Sequence, residues 1–301
     1  MKRNLLLLLI AIVSTTLLSA QNESSNHRRV AREVEKMMEI SSDLMDEVMT
    51  YGKAKKINAL ADGQFDIWRK SKRSFSRLDG EGEKAMFAAA EQGMETLVEA
   101  TSGPLRDWAN EDPRSSYGHE YLKLTKEVFG VVLAELDAYA EANEVNARPM
   151  NALDRYETQL ELAEYTATMK AGASRVDSLV DFMKANMGTT DLDIMFKAQK
   201  DLIKALSEHL RGYGEELFFN GQTELHEAYQ RYYVELLELT SADLLADITK
   251  MKYDLVEFRS IDKATERSAV KTLSFFDNEK KLLTKREARF VKANLPKAPK
   301  K

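Results

Sequence analysis

From Met150 to Leu295 the chain contains no proline. Proline removes a backbone donor and clashes with the preceding turn, so a stretch this long without one permits helices of unusual length. The apolar spacing uses that permission. Leu153, Tyr156, Leu160, Ala163 and Ala167, then Val176, Val180, Met183 and Met187 beyond a softer stretch, recur at helical intervals. So do Leu192, Met195, Leu202, Leu206, Leu210, Tyr213 and Leu217, and again Leu225, Tyr229, Tyr232, Leu236 and Leu239. The pattern predicts helices over 150–187, 191–219 and 223–239. It slips at Thr240-Ser241 and resumes at Leu244, Ile248, Met251, Leu255 and Phe258, which predicts a kink or short break. Residues 262–277 and 279–293 read as further helices, and Leu295 to Lys301 as a Pro/Lys tail.

Upstream, Val30, Val34, Met37, Ser41, Leu44, Val48 and Tyr51 form a heptad-like seam that Gly52 ends. Residues 53–112 are less regular. Ile57, Leu60, Ala61, Phe65 and Trp68 suggest a short helix in which Asp62-Gly63 signals a break. Asp79-Gly80-Glu81-Gly82 reads as a turn, Glu83 to Ala100 as a helix stopped by Ser102-Gly103-Pro104, and Trp108 as a loop residue. Tyr117, Tyr121, Leu124, Val128, Val131, Glu135 and Tyr139 mark a longer helix, followed by a linker at 143–149.

Short connections at 188–190 and 220–222 require consecutive helices to fold back on each other. The expected fold is all-α: an elongated antiparallel bundle with an up-down-up-down core, extra N-terminal helices and a basic C-terminal tail. The expected divisions are 1–20, 21–112, 113–278 and 279–301. With 13 Gly and 5 Pro in 301 residues, a fold of many short strands and turns is excluded.

Residues 1–20 read as a secretory signal: Lys2 and Arg3, an apolar run from Leu5 to Val13, and a polar stretch ending at Ala20, with cleavage before Gln21. The mature chain holds no apolar run long enough for a transmembrane segment, so the protein is expected in the periplasm or secreted. The absence of cysteine suits such a compartment and removes disulfides, thiolate metal sites and a cysteine nucleophile. Of 44 basic residues, Lys2 and Arg3 leave with the signal, so 42 face 49 acidic residues, net −7. From Lys280 to Lys301 nine basic residues accompany Glu287 alone, net +8, which leaves residues 21–279 at net −15. An acidic body disfavours nucleic acid. The apolar face of the basic segment is thin and interrupted by Arg286 and Glu287, so it reads as a solvated terminal helix that pairs electrostatically with the acidic body, or else as a contact with an anionic envelope surface through Lys280, Lys281, Lys285, Arg286, Arg289 and Lys292.

No zinc-protease, di-iron, phosphate-loop, dinucleotide or nucleophile-elbow motif occurs, so no enzymatic activity and no cofactor is expected. Hairpin arithmetic places His119, Ala173, His209 and Tyr232 near one height, beside the small residues Ala171-Gly172-Ala173-Ser174. The small residues mean either close helix packing or a void. In the second case His119, His209, Tyr232 and Tyr233 would line a small-ligand or metal pocket. Around the 220–221 turn, Glu215, Glu216, Glu224, His226 and Glu227 form either a solvated acidic helix end or a weak cation site. Tyr213, Tyr229, Tyr232, Tyr233 and Tyr253 read as seam fillers with hydroxyls at the rim, or as an aromatic recognition face. The function expected is that of a non-catalytic interaction or scaffold protein of the extracytoplasmic space, with a protein partner. A ligand-binding bundle near His119/His209 is the alternative.

Overall fold

A computed structural model of the chain describes residues 2–78, 80–111, 117–146, 149–187, 189, 191–213 and 217–296. For residues 2–25, 81, 111, 117, 150 and 151 it describes the backbone alone. The fold is all-α: among the described residues there is no strand, only an isolated bridge between Phe219 and Gln222. The helices group into two compact units, one reaching to Glu161 and the other spanning Leu162–Asn294.

The first unit contains α1 (Lys2–Met49), α2 (Ala54–Phe75), α3 (Glu81–Ser102), α4 (Pro104–Glu111), α5 (Tyr117–Ala142) and the first part of α6 (Met150–Lys170). The N-terminal seam is buried as the spacing predicts, from Val30 through Val34, Met37, Ser41 and Leu44 to Val48. α1 packs on α2, and α3 on α5. α5 also meets the helix after it: Tyr156 Oη of α6 donates to the Thr125 carbonyl at 3.2 Å, and its ring lies 5.5 Å from that of Phe129.

α2 runs unbroken through Asp62-Gly63. A Cβ on Gly63 would meet Ile40 Cδ1 at 3.3 Å, so this glycine allows α1 and α2 to approach closely instead of making a turn. Pro104 does end α3, but it also opens α4, where a first-turn proline loses no helical hydrogen bond. Trp108 is therefore a buried helical residue, packed where a Cβ on Gly118 would meet its ring at 2.8 Å. The buried face of α5 runs through Tyr121, Thr125, Val128, Val132, Leu136 and Tyr139, which leaves Val131 exposed.

Buried polar groups on α1 find partners far away in sequence. Ser71 Oγ donates to Glu33 Oε2 at 2.7 Å, and Gln64 Nε2 donates to Ser41 Oγ at 2.9 Å. Arg155 of α6 donates to Asp43 Oδ1 at 2.8 Å and to Asp46 Oδ2 at 2.5 Å. Gln159 Nε2 donates to the Ser42 carbonyl at 2.9 Å and also to Asp46. Burial pushes the Asp46 carboxyl above the usual carboxylate range, against the pull of the Arg155 guanidinium.

The second unit holds the rest of α6, then α7 (Ala173–Ala185), α8 (Leu192–Gly212), α9 (Glu224–Leu239), a π turn at Thr240–Leu244, α10 (Leu245–Phe258) and α11 (Lys263–Asn294). The helix expected over 150–187 is two helices, divided where Gly172 takes a φ of +86°. The helix expected to reach residue 219 stops at Gly212. The break expected at Thr240-Ser241 is the π turn. Buried Leu236, Thr240, Leu244 and Ile248 follow one another in steps of four, which would carry an α-helical seam about 120° off its core. The wider turn takes up that drift. Gln199 Nε2 donates to the Thr240 carbonyl at 3.0 Å, so a buried side chain satisfies the irregular backbone. The two helices expected over 262–293 are one, and it buries Leu283, Glu287, Phe290 and Val291. The basic segment is thus, as far as Asn294, an integral helix of this unit.

Removing the guanidinium should show what the α1–α6 tie contributes. Arg155→Ala leaves Asp43 and Asp46 without their cationic partner. Asp43 is 39% exposed, so the cost is expected at about 2 kcal/mol, below that of a fully buried pair. Urea unfolding followed by circular dichroism would measure it.

Candidate functional site

The most concentrated set of functional side chains lies in the second unit, where α8, α9 and the end of α6 meet. His209, in the last turn of α8, packs against Tyr233 of α9 with ring centroids 4.0 Å apart. Its other neighbour is Tyr213, just past the end of α8, at 5.0 Å. Tyr213 in turn lies 5.1 Å from His226, and Tyr232 lies 5.0 Å from Tyr233. All of these side chains are buried.

The ring of His209 fits because residue 172 is a glycine. A Cβ there would stand 3.0 Å from His209 Nδ1, and the positive φ excludes most side chains independently. The stretch Ala171-Gly172-Ala173-Ser174 is therefore where the chain turns between α6 and α7 and where the imidazole is received.

The polar atoms of the cluster are turned mostly to the protein itself. Tyr213 donates its hydroxyl to the Met169 carbonyl. Tyr165 Oη donates to the Leu217 carbonyl at 3.2 Å. Tyr229 Oη donates to Glu287 Oε2 at 2.6 Å, and Lys170 Nζ pairs with Glu287 Oε1 at 2.6 Å. Glu287 is thus a buried carboxylate with a neutral donor on one oxygen and a cation on the other. Two ring nitrogens, His209 Nε2 and His226 Nδ1, are buried without a hydrogen-bond partner.

Burial sets the chemistry of these groups. It pushes the phenols of Tyr213, Tyr232 and Tyr233 well above their ordinary value, so they remain neutral donors at physiological pH. It pushes the His209 imidazole down, while a hydrogen bond with the backbone of Ala171 pulls the other way. The arrangement is a dry, neutral aromatic block around one compensated carboxylate. It offers no phenolate, and among the described residues no group of three or more His, Asp or Glu side chains converges at metal-binding distance.

The structure brings together three of the four residues that hairpin arithmetic proposed. His209, Tyr232 and Tyr233 share this cluster. His119 belongs to the first unit, where it is exposed on α5. Tyr213, His226, Tyr229 and Glu287 are members that the arithmetic did not assign. Glu215 and Glu216 of the proposed acidic turn lie outside the described residues. Glu224 and Glu227 are exposed, and Thr223 Oγ1 donates to Glu227 Oε1 at 2.8 Å. Of the anionic-surface candidates, Lys280 is engaged with Asp177 at 2.6 Å, while Lys281, Lys285, Arg286, Arg289 and Lys292 are exposed.

No protein-family profile matches the chain, and no curated protein or solved structure matches it either.

Two measurements bear on the cluster. Because His209 has a lower pKa folded than unfolded, the unfolded chain takes up the proton first on acidification. Its contribution to stability is complete above the unfolded value of about 6.5 and declines as the pH falls below it. The melting temperature of the His209→Phe variant should therefore fall less between pH 7.5 and 5.5 than that of the wild type. Gly172→Ala imposes both a left-handed backbone strain and a contact with the imidazole, and should destabilise by about 2 kcal/mol in urea unfolding.

Proposed function

We propose that the protein is exported and acts without catalysis, as an interaction protein that binds another protein. The observation that carries this reading is an exposed apolar tip at the end of α10. Tyr253, Val256 and Phe258 are 59%, 71% and 68% exposed, and the rings of Tyr253 and Phe258 meet edge-on at 6.3 Å. Spacing assigned Phe258 to the buried seam. Instead Arg259 adopts a left-handed φ of 55° and ends the helix, leaving Phe258 outside the core. Grouped apolar side chains in water are unfavourable unless something covers them, and they commonly mark contact surfaces. Glu257, Arg259, Asp262 and Lys263 border the tip in sequence with both signs of charge, so the complementary patch on the partner is apolar with a mixed polar rim.

The inward orientation of the His and Tyr polar atoms supports the same reading, since they serve the fold. The alternative, a small-ligand or metal site, has His209 Nε2 and His226 Nδ1 in its favour. Entry of a ligand would require the Tyr213 and Tyr233 rings to part from His209. Export rests on the basic, apolar and small-residue order of residues 1–20. Cleavage after Ala20 leaves His27, whose Nδ1 lies 2.5 Å from Tyr139 Oη, and the buried face from Val30 onward within the mature chain. Exposed Lys281, Lys285, Arg286, Arg289 and Lys292 leave the anionic envelope surface as a second contact.

A single experiment addresses both parts. The protein is isolated from the exported fraction, its N-terminus is sequenced, and a photo-cross-linking residue is placed at position 258. A mature terminus at Gln21 and one saturable cross-linked protein, lost on Tyr253→Ser with Val256→Ser at unchanged melting temperature, is the expected result. A cytoplasmic, uncleaved chain, or a cross-link indifferent to those substitutions, would overturn the reading.

A further inference from the structure

α11 carries one line of exposed residues from end to end. Lys263, Arg267, Lys271, Ser274, Asn278, Lys281, Lys285, Arg289 and Lys292 follow in steps of four and three, and every one is exposed. They fall within about 80° of one another around the helix and extend over about 44 Å of its length. Seven of the nine are basic and none is acidic. None of the seven makes an ion pair among the described residues. The acids of α11 lie on other rows: Glu287 is buried, Asp277 is paired with Lys184 at 2.6 Å, and Glu266 and Glu279 are partly covered. The line therefore begins well before the basic segment that composition identifies, and it omits Lys280, which is paired with Asp177.

Like charges in a row repel, and the acidic body supplies abundant carboxylates that the row does not use. A second feature runs beside it. Phe275 and Leu282, one heptad apart, are 40% and 44% exposed and stand about 20–40° beyond the edge of the basic row. A soluble linear polyanion would need the charges alone. A bilayer surface uses both: headgroup phosphates for the lysines and arginines, and the acyl boundary for apolar side chains alongside them.

We infer that the exposed row Lys263–Arg267–Lys271–Lys281–Lys285–Arg289–Lys292, with Phe275 and Leu282 at its edge, docks α11 lengthwise on an anionic phospholipid surface. This deepens the anionic-surface contact given above for residues 281–292. It does not depend on the apolar tip of α10 or on a protein partner.

The test uses the full mature chain and sedimentation with vesicles of phosphatidylcholine alone or containing phosphatidylglycerol. Binding is expected only with phosphatidylglycerol, and it should weaken steeply with salt. Two variants separate the possibilities. Lys271→Gln, Lys281→Gln, Lys285→Gln and Arg289→Gln together leave helix propensity and the core untouched, as circular dichroism would verify, and should weaken vesicle binding on the order of a hundredfold. Phe275→Ser with Leu282→Ser should weaken it on the order of tenfold while leaving binding to soluble polyphosphate unchanged. Equal binding to both vesicle types, or an unaffected quadruple variant, overturns the inference. So does polyphosphate binding as tight as vesicle binding with no effect of the apolar pair, which would assign the row to a soluble polyanion. Substitutions at Tyr253 and Val256 leave vesicle binding unchanged, so this inference and the protein-partner reading can fail separately.

Discussion

The second unit is organised around a carboxylate that water cannot reach. The Glu287 side chain is 4% exposed, and removing such a group from water costs several kcal/mol unless partners replace its hydration. Lys170 from α6 and Tyr229 from α9 are those partners. Three helices distant in sequence are thereby tied at one point. The tie also fixes the rotation of α11 about its own axis. Residues 285 and 289, two positions to either side of Glu287, project about 160° away from it. The burial of one acid and the exposure of the basic row are two aspects of one orientation.

Around that tie, two departures from regular helix put side chains where they are needed. At Gly172 the backbone takes a conformation closed to most residues and leaves space that the His209 ring occupies. At Thr240–Leu244 a wider turn keeps α9 and α10 facing the same core although their apolar spacing drifts. Each is stabilised by a long-range contact, His209 in one case and Gln199 in the other. The irregularities are therefore consequences of packing as much as of local propensity.

Helix identity and most buried faces were legible in the sequence, because amphipathic spacing reports which side of a helix is covered. The seam from Val30 to Val48 and the slip at Thr240-Ser241 were read directly. The pairing of His209 with Tyr233 was nearly so, since both lie a short count from one turn. What spacing could not supply was the second partner of each polar group. Glu287 interrupts an apolar face and so suggested a thin, solvated tail. Its burial becomes intelligible only beside Lys170 and Tyr229. His226 stood among acidic residues and was read with them, whereas its ring turns inward to Tyr213. Gly63 and Pro104 were read as breakers, yet one admits Ile40 and the other starts a helix. The arithmetic that added His119 passed through an unbroken helix over 150–187, and the turn at Gly172 removes that premise.

The α1–α6 tie has a bearing on the order in which the chain can fold. Arg155 and Gln159 reach partners on α1 that lie 109 to 117 residues earlier. Contacts of such separation carry a large loop-closure cost and form after local helix pairs. During synthesis Asp43 and Asp46 emerge long before their cation does, and the N-terminal helix cannot complete its packing until residue 159 has followed. Placing the last fastener of the first unit so far downstream keeps its leading segment open for the longest time.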